Sequence, residues 1–143
     1  MQRKPFVVFA TPCFSGQVAQ EFCMSLAQAV GLLVANDIRV NCIVQTGLQF
    51  VDVARNIIVK RFLESHPDAT DLFFIDDDVG FDPSKALEFV MRPQPVVAGV
   101  YPMKVPFGAP PQWPVFLHTG QNEHGVHFLQ RNGLIQALSL RYS

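Results

Sequence analysis

The amino-acid sequence predicts an α/β protein with a mixed, mostly parallel sheet flanked by helices. Short apolar runs typical of buried strands alternate with longer segments in which apolar residues recur at helical spacing. This strand–helix order occurs three times before a further apolar run, and parallel strands require such helical crossovers. The most distinctive run, residues 72–75, leads directly into three consecutive aspartates.

The first half of the chain supplies two strand–helix units. Strands are predicted at residues 6–10 and 40–44, and a loop is predicted to begin at Thr11. Two helices follow, the first from about residue 18 and the second over about residues 50–64, where Pro67 stops it. Their inward-facing residues are predicted to be Val18, Phe22, Leu26, Val30 and Leu33 in the first helix, and Val51, Ala54, Ile58 and Phe62 in the second.

The third unit contains the acidic segment. Residues 72–75 lack polar alternation, which predicts an interior strand that is buried on both faces. Asp82 and Pro83 are typical of a helix N-cap and a first helical position. The apolar face of that helix is predicted to carry Ala86, Leu87, Val90 and Met91. A fourth strand is predicted at residues 96–101.

The pattern changes after Pro102, where recurrent prolines predict an extended irregular segment. Short antiparallel strands are predicted at residues 115–117, 126–129 and 134–140. The pair Asn132-Gly133 is a hairpin-turn signal between the last two. We expect these strands to pack beside the main sheet, so that residues 1–143 form one domain.

Composition excludes several classes of protein. A hydrophobic fraction of 49% with only 16% charged residues is not that of a disordered chain. A net charge of -1 gives no electrostatic reason to expect nucleic acid or an anionic membrane as a partner. The three cysteines cannot all pair, which favours buried thiols in a reducing cytoplasm. No apolar run has the length of a membrane span.

The aspartates Asp76, Asp77 and Asp78 are the strongest candidate site. Because side chains on a strand alternate, Asp76 and Asp78 are expected on one side, about 6–7 Å apart. Three adjacent carboxylates repel one another, and a bound cation would offset that repulsion. Oxygen-only ligands suit Mg²⁺ or Mn²⁺, with water and phosphate completing the shell. The alternative is a solvated acidic turn that caps the next helix.

Four sequence blocks resemble those of GT-A glycosyltransferases, most closely the family 2-like and Anp1-like members. The blocks are Thr11-Pro12, Ala54-Arg55-Asn56, and residues 74–79 and 97–104. The resemblance implies a GT-A fold and transfer of a sugar from a nucleotide-diphosphate sugar donor. It covers residues 6–104, which would form the donor-binding half, and leaves residues 105–143 as a partial acceptor-side half.

The resemblance also implies roles for individual residues. Thr11 and Pro12 would line the nucleotide pocket, and Arg55 would face the donor phosphates or base. Asp76 would contact the ribose or the metal, and Asp78 would ligate Mn²⁺ or Mg²⁺ bridging the diphosphate. The remaining donor-binding candidates are Asp77 and Lys104; Lys104 would pair with the diphosphate or is simply a loop lysine.

The acceptor side offers fewer candidates. Glu123 is the only carboxylate after Glu88, so it is the only late candidate for a general base, although a solvated turn glutamate is the ordinary alternative. His118, His124 and His127 match no compact zinc motif. Similar enzymes continue well beyond the counterpart of Gly133, so we expect this chain to bind a donor better than it transfers from it. The acceptor would be a saccharide, lipid or protein, and residues 134–140 could mediate homo-oligomerisation.

Two other functions fit parts of the pattern. A non-catalytic sugar-nucleotide-binding module would need only the donor half. A metal-dependent phosphatase also places Asp-x-Asp at a strand end, but normally on its first strand and with Thr or Val where this chain has Gly80. A calcium loop is disfavoured because Phe81 occupies the sixth position, where glycine is needed.

Overall fold

The computed structural model describes residues 4–99, 108–109, 117–121 and 127–130. The chain forms two compact units, Met1–Pro95 and Val96–Ser143. In the first unit, strand and helix alternate three times, as the sequence predicts. The elements are β1 (Phe6–Cys13), α1 (Gln20–Ala35), β2 (Arg39–Thr46), α2 (Val51–Ser65), β3 (Asp71–Phe74) and α3 (Pro83–Val90).

The three strands form a parallel sheet in the order β2-β1-β3. β1 is the central strand: it pairs with β2 from Phe6 to Cys13 and with β3 from Val7 to Ala10. Its residues from Phe6 to Ala10 are all buried. A continuous apolar run is what a parallel strand with a neighbour on each side requires.

Helices cover both faces of this sheet. Val7 and Phe9 of β1 belong to one hydrophobic cluster, which also contains buried residues of α1 and α3. Val8 and Ala10 belong to a second cluster with Ile58 of α2. Because side chains of a strand alternate between its faces, α1 and α3 lie on one face and α2 on the other. The predicted α/β architecture is therefore confirmed at this level.

The interior position predicted for the acidic strand is wrong within the described residues. β3 lies at the edge of the described sheet, and the side chains of Asp71, Leu72 and Phe73 are only partly buried. Phe74 is 37% exposed. The strand buried on both faces is β1 instead. A four-residue apolar run does not distinguish the two positions, because both place apolar residues against a helix.

β1 is longer than predicted, since it ends at Cys13 rather than at Ala10. Thr11 and Pro12 therefore lie in the strand and not in the loop that follows it. β2 is also longer than predicted at both ends. The sequence predicts a loop at Thr11 and Pro12 because proline lacks the N–H that a sheet uses.

The sheet tolerates proline at position 12 because β3 ends before it would pair with this residue. The amide of Ile75 donates to the carbonyl of Ala10 at 3.0 Å, so the backbone groups of Ala10 point toward β3. These directions alternate along a strand, so the nitrogen of Pro12 points the same way. The last residue of β3 that pairs with β1 is Phe74, opposite Ala10. The missing N–H of Pro12 thus costs the sheet no hydrogen bond.

The first two helices largely follow the predicted faces. In α1, Phe22 and Leu33 are buried, whereas Val18 precedes the helix and is 42% exposed. In α2, Ala54 and Ile58 are buried as predicted, and the inward position predicted for Val51 is wrong. Helical spacing does not show whether the first residue of a helix still lies over the sheet.

The third helix begins as predicted. Oδ1 of Asp82 accepts a hydrogen bond from the Ser84 amide at 2.9 Å, and Pro83 is the first helical residue. Ala86 is buried, but Met91 caps the other end of the helix and is 67% exposed. Its predicted place on the apolar face is therefore wrong.

The fourth strand predicted at residues 96–101 is not formed over residues 96–99, which are irregular. Val96 is 84% exposed, so it has none of the packing that stabilises an apolar strand. The last two residues of that prediction lie outside the described residues.

In the second unit, β4 (Leu117–Gln121) pairs with β5 (His127–Gln130) in antiparallel fashion, with an irregularity between His118 and Gly120. Short antiparallel strands are thus confirmed here with shifted boundaries. The strand predicted at residues 134–140 lies outside the described residues, and the single-domain arrangement stays a prediction. Among the residues described, none of the helices has the length and apolar character needed to cross a membrane.

Candidate functional site

The candidate site lies where β1 and β3 end at the carboxyl edge of the sheet. β2 lies on one side of β1 and β3 on the other, so the strand order reverses at β1. In open α/β sheets, ligands bind beyond the carboxyl ends of the strands where the order reverses. Two segments that the sequence predicts to be functional, residues 11–12 and residues 76–78, both lie at this edge.

The three aspartates form a tight turn, which we call the acidic turn (residues 76–79). The Val79 amide donates to the carbonyl of Asp76 at 3.2 Å. The strand ends at Phe74, before the first aspartate. The predicted same-side placement of Asp76 and Asp78 assumed strand geometry, whereas this segment has turn geometry, so that placement stays a prediction. Aspartate is favoured at the first position of such turns, which is why the chain turns here.

The acidic turn and the residues after it are attached to α1 and the loop before it. The Ala19 amide donates to the carbonyl of Asp77 at 2.9 Å, and the Phe81 amide donates to Oγ of Ser25 at 3.0 Å. Between these contacts, a Cβ atom added at Gly80 would lie 2.9 Å from Cβ of Glu21. Only glycine permits this approach. Sequence reasoning missed this role, although a glycine directly after an acidic segment is the signal for it.

Arg55 and Asp76 form an ion pair at the site. Nη2 of Arg55 lies 2.9 Å from Oδ1 of Asp76, and the two side chains are 44% and 35% exposed. The guanidinium carbon of Arg55 lies 6.0 Å from the centroid of the Phe74 ring. The structure thus brings together two residues that are far apart in sequence and that were both singled out as donor-binding. A half-exposed pair contributes only about 0–1 kcal/mol, so a ligand can displace it.

Asp77 interacts with a different part of the sheet. The Cys13 thiol at the end of β1 is buried, and this burial, together with a hydrogen bond to Asp77 and the charge of Asp77, raises the pKa of Cys13. The carbonyl of Gln17, 3.3 Å from Sγ of Cys13, is a second possible acceptor for the single thiol proton. A neutral, buried thiol is a poor nucleophile, so Cys13 is a structural residue. Asp76 therefore pairs with Arg55 of α2, whereas Asp77 interacts with Cys13 of β1.

The other predicted site residues are placed as follows. Thr11 is buried at 2% exposure, and Pro12 beside it is partly exposed. Asp78 is exposed in the acidic turn. Lys104 and Glu123 lie outside the described residues.

The carboxylates fit one kind of metal site. In the part of the chain that the structure describes, no three or more His, Cys, Asp or Glu side chains are grouped to hold a metal ion. Mg²⁺ is usually bound by one or two carboxylates together with substrate phosphates. Asp78 and Asp76 carry suitable oxygens, although Arg55 already occupies Oδ1 of Asp76. This donor set fits a cation that shares its shell with phosphate, and not a cage built by protein alone.

Two exposed aromatic side chains at this edge were not recognised as site candidates in the sequence. Phe14 follows β1 and is 57% exposed, and Phe50 precedes α2 and is 70% exposed. The Gly47 amide donates to the carbonyl of Phe14 at 3.1 Å, which joins the two loops. Large aromatic residues beside turn residues were the available signal. They give the edge an apolar surface next to its charged groups.

A groove of about 350 Å³ lies at the opposite, amino edge of the sheet, beside the residues that precede the three strands. Its charges are already matched, since Lys4 pairs with Asp37 and Arg39 pairs with Asp68. The guanidinium of Arg39 also lies 3.9 Å from the centroid of the Phe6 ring. The charged side chains of this groove therefore pair with one another.

No protein-family model, curated protein or solved structure matches this chain. The likeness to GT-A glycosyltransferases is thus carried by the four sequence blocks alone.

Proposed function

We propose that this protein is a metal-dependent glycosyltransferase that binds a nucleotide-diphosphate sugar at the carboxyl edge of its sheet. One observation supports the proposal most strongly. Arg55 and Asp76 come from two separate blocks of the GT-A resemblance, and their side chains lie 2.9 Å apart at this edge. Both would have to be close to a donor diphosphate for the implied roles to hold.

The chemistry of sugar transfer explains the charges. Negative charge develops on the diphosphate as it leaves, and groups fixed nearby must stabilise it. The guanidinium of Arg55 suits this task, because its N–H groups match two phosphate oxygens at once. Asp76 and Asp78 would hold a Mn²⁺ or Mg²⁺ ion, which when bound supplies Lewis acidity to the diphosphate.

The remaining parts of the proposal concern the donor and acceptor. Pro12 would form part of the wall of the nucleotide pocket, with the buried Thr11 behind it. Asp77 would help to bind the donor, and Lys104 would pair with the diphosphate. Glu123 would activate the hydroxyl of the acceptor, which is a saccharide, a lipid or a protein.

Calorimetry with nucleoside diphosphates tests the donor site. We expect Mn²⁺ to strengthen binding to the wild-type protein, and Asp78→Asn to abolish most of that gain because a carboxylate ligand is lost. Asp37→Asn is the matched control. It removes one carboxylate at the amino edge, where Asn also suits the positive φ of 59°.

Several outcomes decide the proposal. Equal dependence on Mn²⁺ in wild type and Asp78→Asn would contradict the metal site. Failure of every common nucleoside diphosphate to bind would contradict the donor site as a whole. Donor hydrolysis and transfer assays then separate an enzyme from a protein that only binds the donor.

A further inference from the structure

The ion pair of Arg55 and Asp76 has a consequence for how ligands bind, if the proposed function holds. Asp76 is a proposed metal ligand, yet its Oδ1 atom already accepts a hydrogen bond from Arg55. A metal cation and a guanidinium repel each other, so they compete for the same carboxylate. The cation therefore binds Asp76 well only when Arg55 has another partner.

A diphosphate is such a partner. Hydrogen bonds between arginine and phosphate are charge-assisted and frequently bidentate, whereas the structure shows one contact between Arg55 and Asp76. The ion pair is also half-exposed, so water reduces the cost of exchanging one partner for another. Phosphate can thus draw the guanidinium away from Asp76.

The local structure permits this exchange without a change of fold. Arg55 is carried by α2, which Ala54 and Ile58 anchor in the core at 2% and 0% exposure. Asp76 opens the acidic turn, whose position depends on the hydrogen bonds of Asp77 and Phe81 to Ala19 and Ser25 rather than on Arg55. The long side chain of Arg55 can therefore move while α2 and the acidic turn stay in place.

We propose that Arg55 couples the binding of the cation and the diphosphate: it occupies Asp76 in the empty site and moves to the phosphates when both ligands bind. Each ligand then raises the affinity of the protein for the other, and thermodynamic linkage requires the two increases to be equal. This coupling favours loading of the metal together with the donor over loading of the metal alone.

The test measures binding, without any assay of activity. Calorimetry gives the affinity for Mn²⁺ alone, for a nucleoside diphosphate alone, and for Mn²⁺ with the diphosphate saturating. For the wild-type protein we expect each ligand to raise the affinity for the other by about 5- to 150-fold. Arg55→Gln should bind Mn²⁺ alone more tightly than wild type, bind the diphosphate alone more weakly, and show a smaller coupling.

Two further variants sharpen the test. Arg61→Gln is the matched control, since Arg61 is an exposed arginine of the same helix; it should behave as wild type. Arg55→Lys keeps the charge but not the planar fork, so its coupling should lie between those of wild type and Arg55→Gln.

The outcomes distinguish this inference from the proposed function. If the wild-type protein binds a diphosphate with Mn²⁺ but Arg55→Gln shows equal coupling, or binds Mn²⁺ alone no more tightly, the coupling role is refuted and the donor site stands. If the wild-type protein binds no diphosphate under any condition, both are refuted.

Discussion

Gly80 shows how a single residue controls the position of the candidate site. It has no side chain where the chain after the acidic turn passes α1, and an added Cβ atom would lie 2.9 Å from Cβ of Glu21. The backbone of Glu21 is nearby as well, with its carbonyl carbon 3.6 Å away. A substitution therefore pushes against a helix and not against a mobile side-chain end.

We expect Gly80→Ala to destabilise the protein by about 1–3 kcal/mol, as overpacking at a tight contact does. The strain should also displace the acidic turn and weaken nucleoside diphosphate binding. Urea unfolding and calorimetry measure the two effects.

Gly31→Ala is a control for which the opposite change in stability is expected. Gly31 lies within α1, and an added Cβ atom there meets nothing within 4 Å. Alanine favours a helix over glycine by about 1 kcal/mol, so this variant should be more stable than wild type. A Gly80→Ala protein as stable as wild type would contradict the account of the contact.

At the scale of elements, α3 holds the end of the acidic segment in place. The carboxylate of Asp82 accepts hydrogen bonds from both the hydroxyl and the amide of Ser84, and these lower the pKa of Asp82 below its ordinary value of 3.8. A carboxyl whose pKa is lowered on folding adds stability above its unfolded pKa. That stability is lost as the pH falls through the folded pKa.

Replacement of this cap should therefore have a pH-dependent cost. We expect Asp82→Ala to lower the free energy of unfolding at pH 7, because the first turn of α3 loses its capping acceptor. The difference from wild type should shrink as the pH falls below 3.8. Asp82→Asn should keep most of the cap at pH 7, since asparagine is also a good N-cap. Chemical denaturation at several pH values checks this, and a difference that is constant with pH would refute it.

Some elements could be predicted from the sequence because their signals are local. Asp82 and Pro83 define the start of α3 through the chemistry of one turn, and helical spacing correctly placed Ala54 and Ile58 in the core. The position of β3 in the sheet could not be predicted in this way. Strand order depends on pairing between distant segments, and the apolar run of residues 72–75 is compatible with an edge or a centre.

The candidate site was predictable in part for the same reason. Arg55 and Asp76 could be expected at the same edge, because the second helix begins and the third strand ends at the carboxyl edge. The spacing of Asp76 and Asp78 could not be predicted from the sequence, since it depends on whether the strand ends at Phe74 or continues. The close approach of Gly80 to Glu21 depends on packing between segments that sequence spacing does not reveal.

At the scale of the whole first unit, we expect the ligand to bind at the carboxyl edge of the sheet and not at the amino edge. The two edges differ in chemistry. The carboxyl edge presents the acidic turn, the Arg55–Asp76 ion pair and two exposed phenylalanines, whereas the amino-edge groove is lined by two other ion pairs, Lys4–Asp37 and Arg39–Asp68. Both edges belong to the same sheet, so a ligand's position can be mapped on one molecule.

The most direct test is an NMR titration of ¹⁵N-labelled protein with a nucleoside diphosphate and Mg²⁺. The chemical shifts of the backbone amides are recorded at each step. We expect the largest changes in residues 13–19 and 76–81, and no changes in Lys4, Asp37, Arg39 and Asp68 at the amino edge. Changes confined to those amino-edge residues, or no changes at saturating nucleotide, would contradict it.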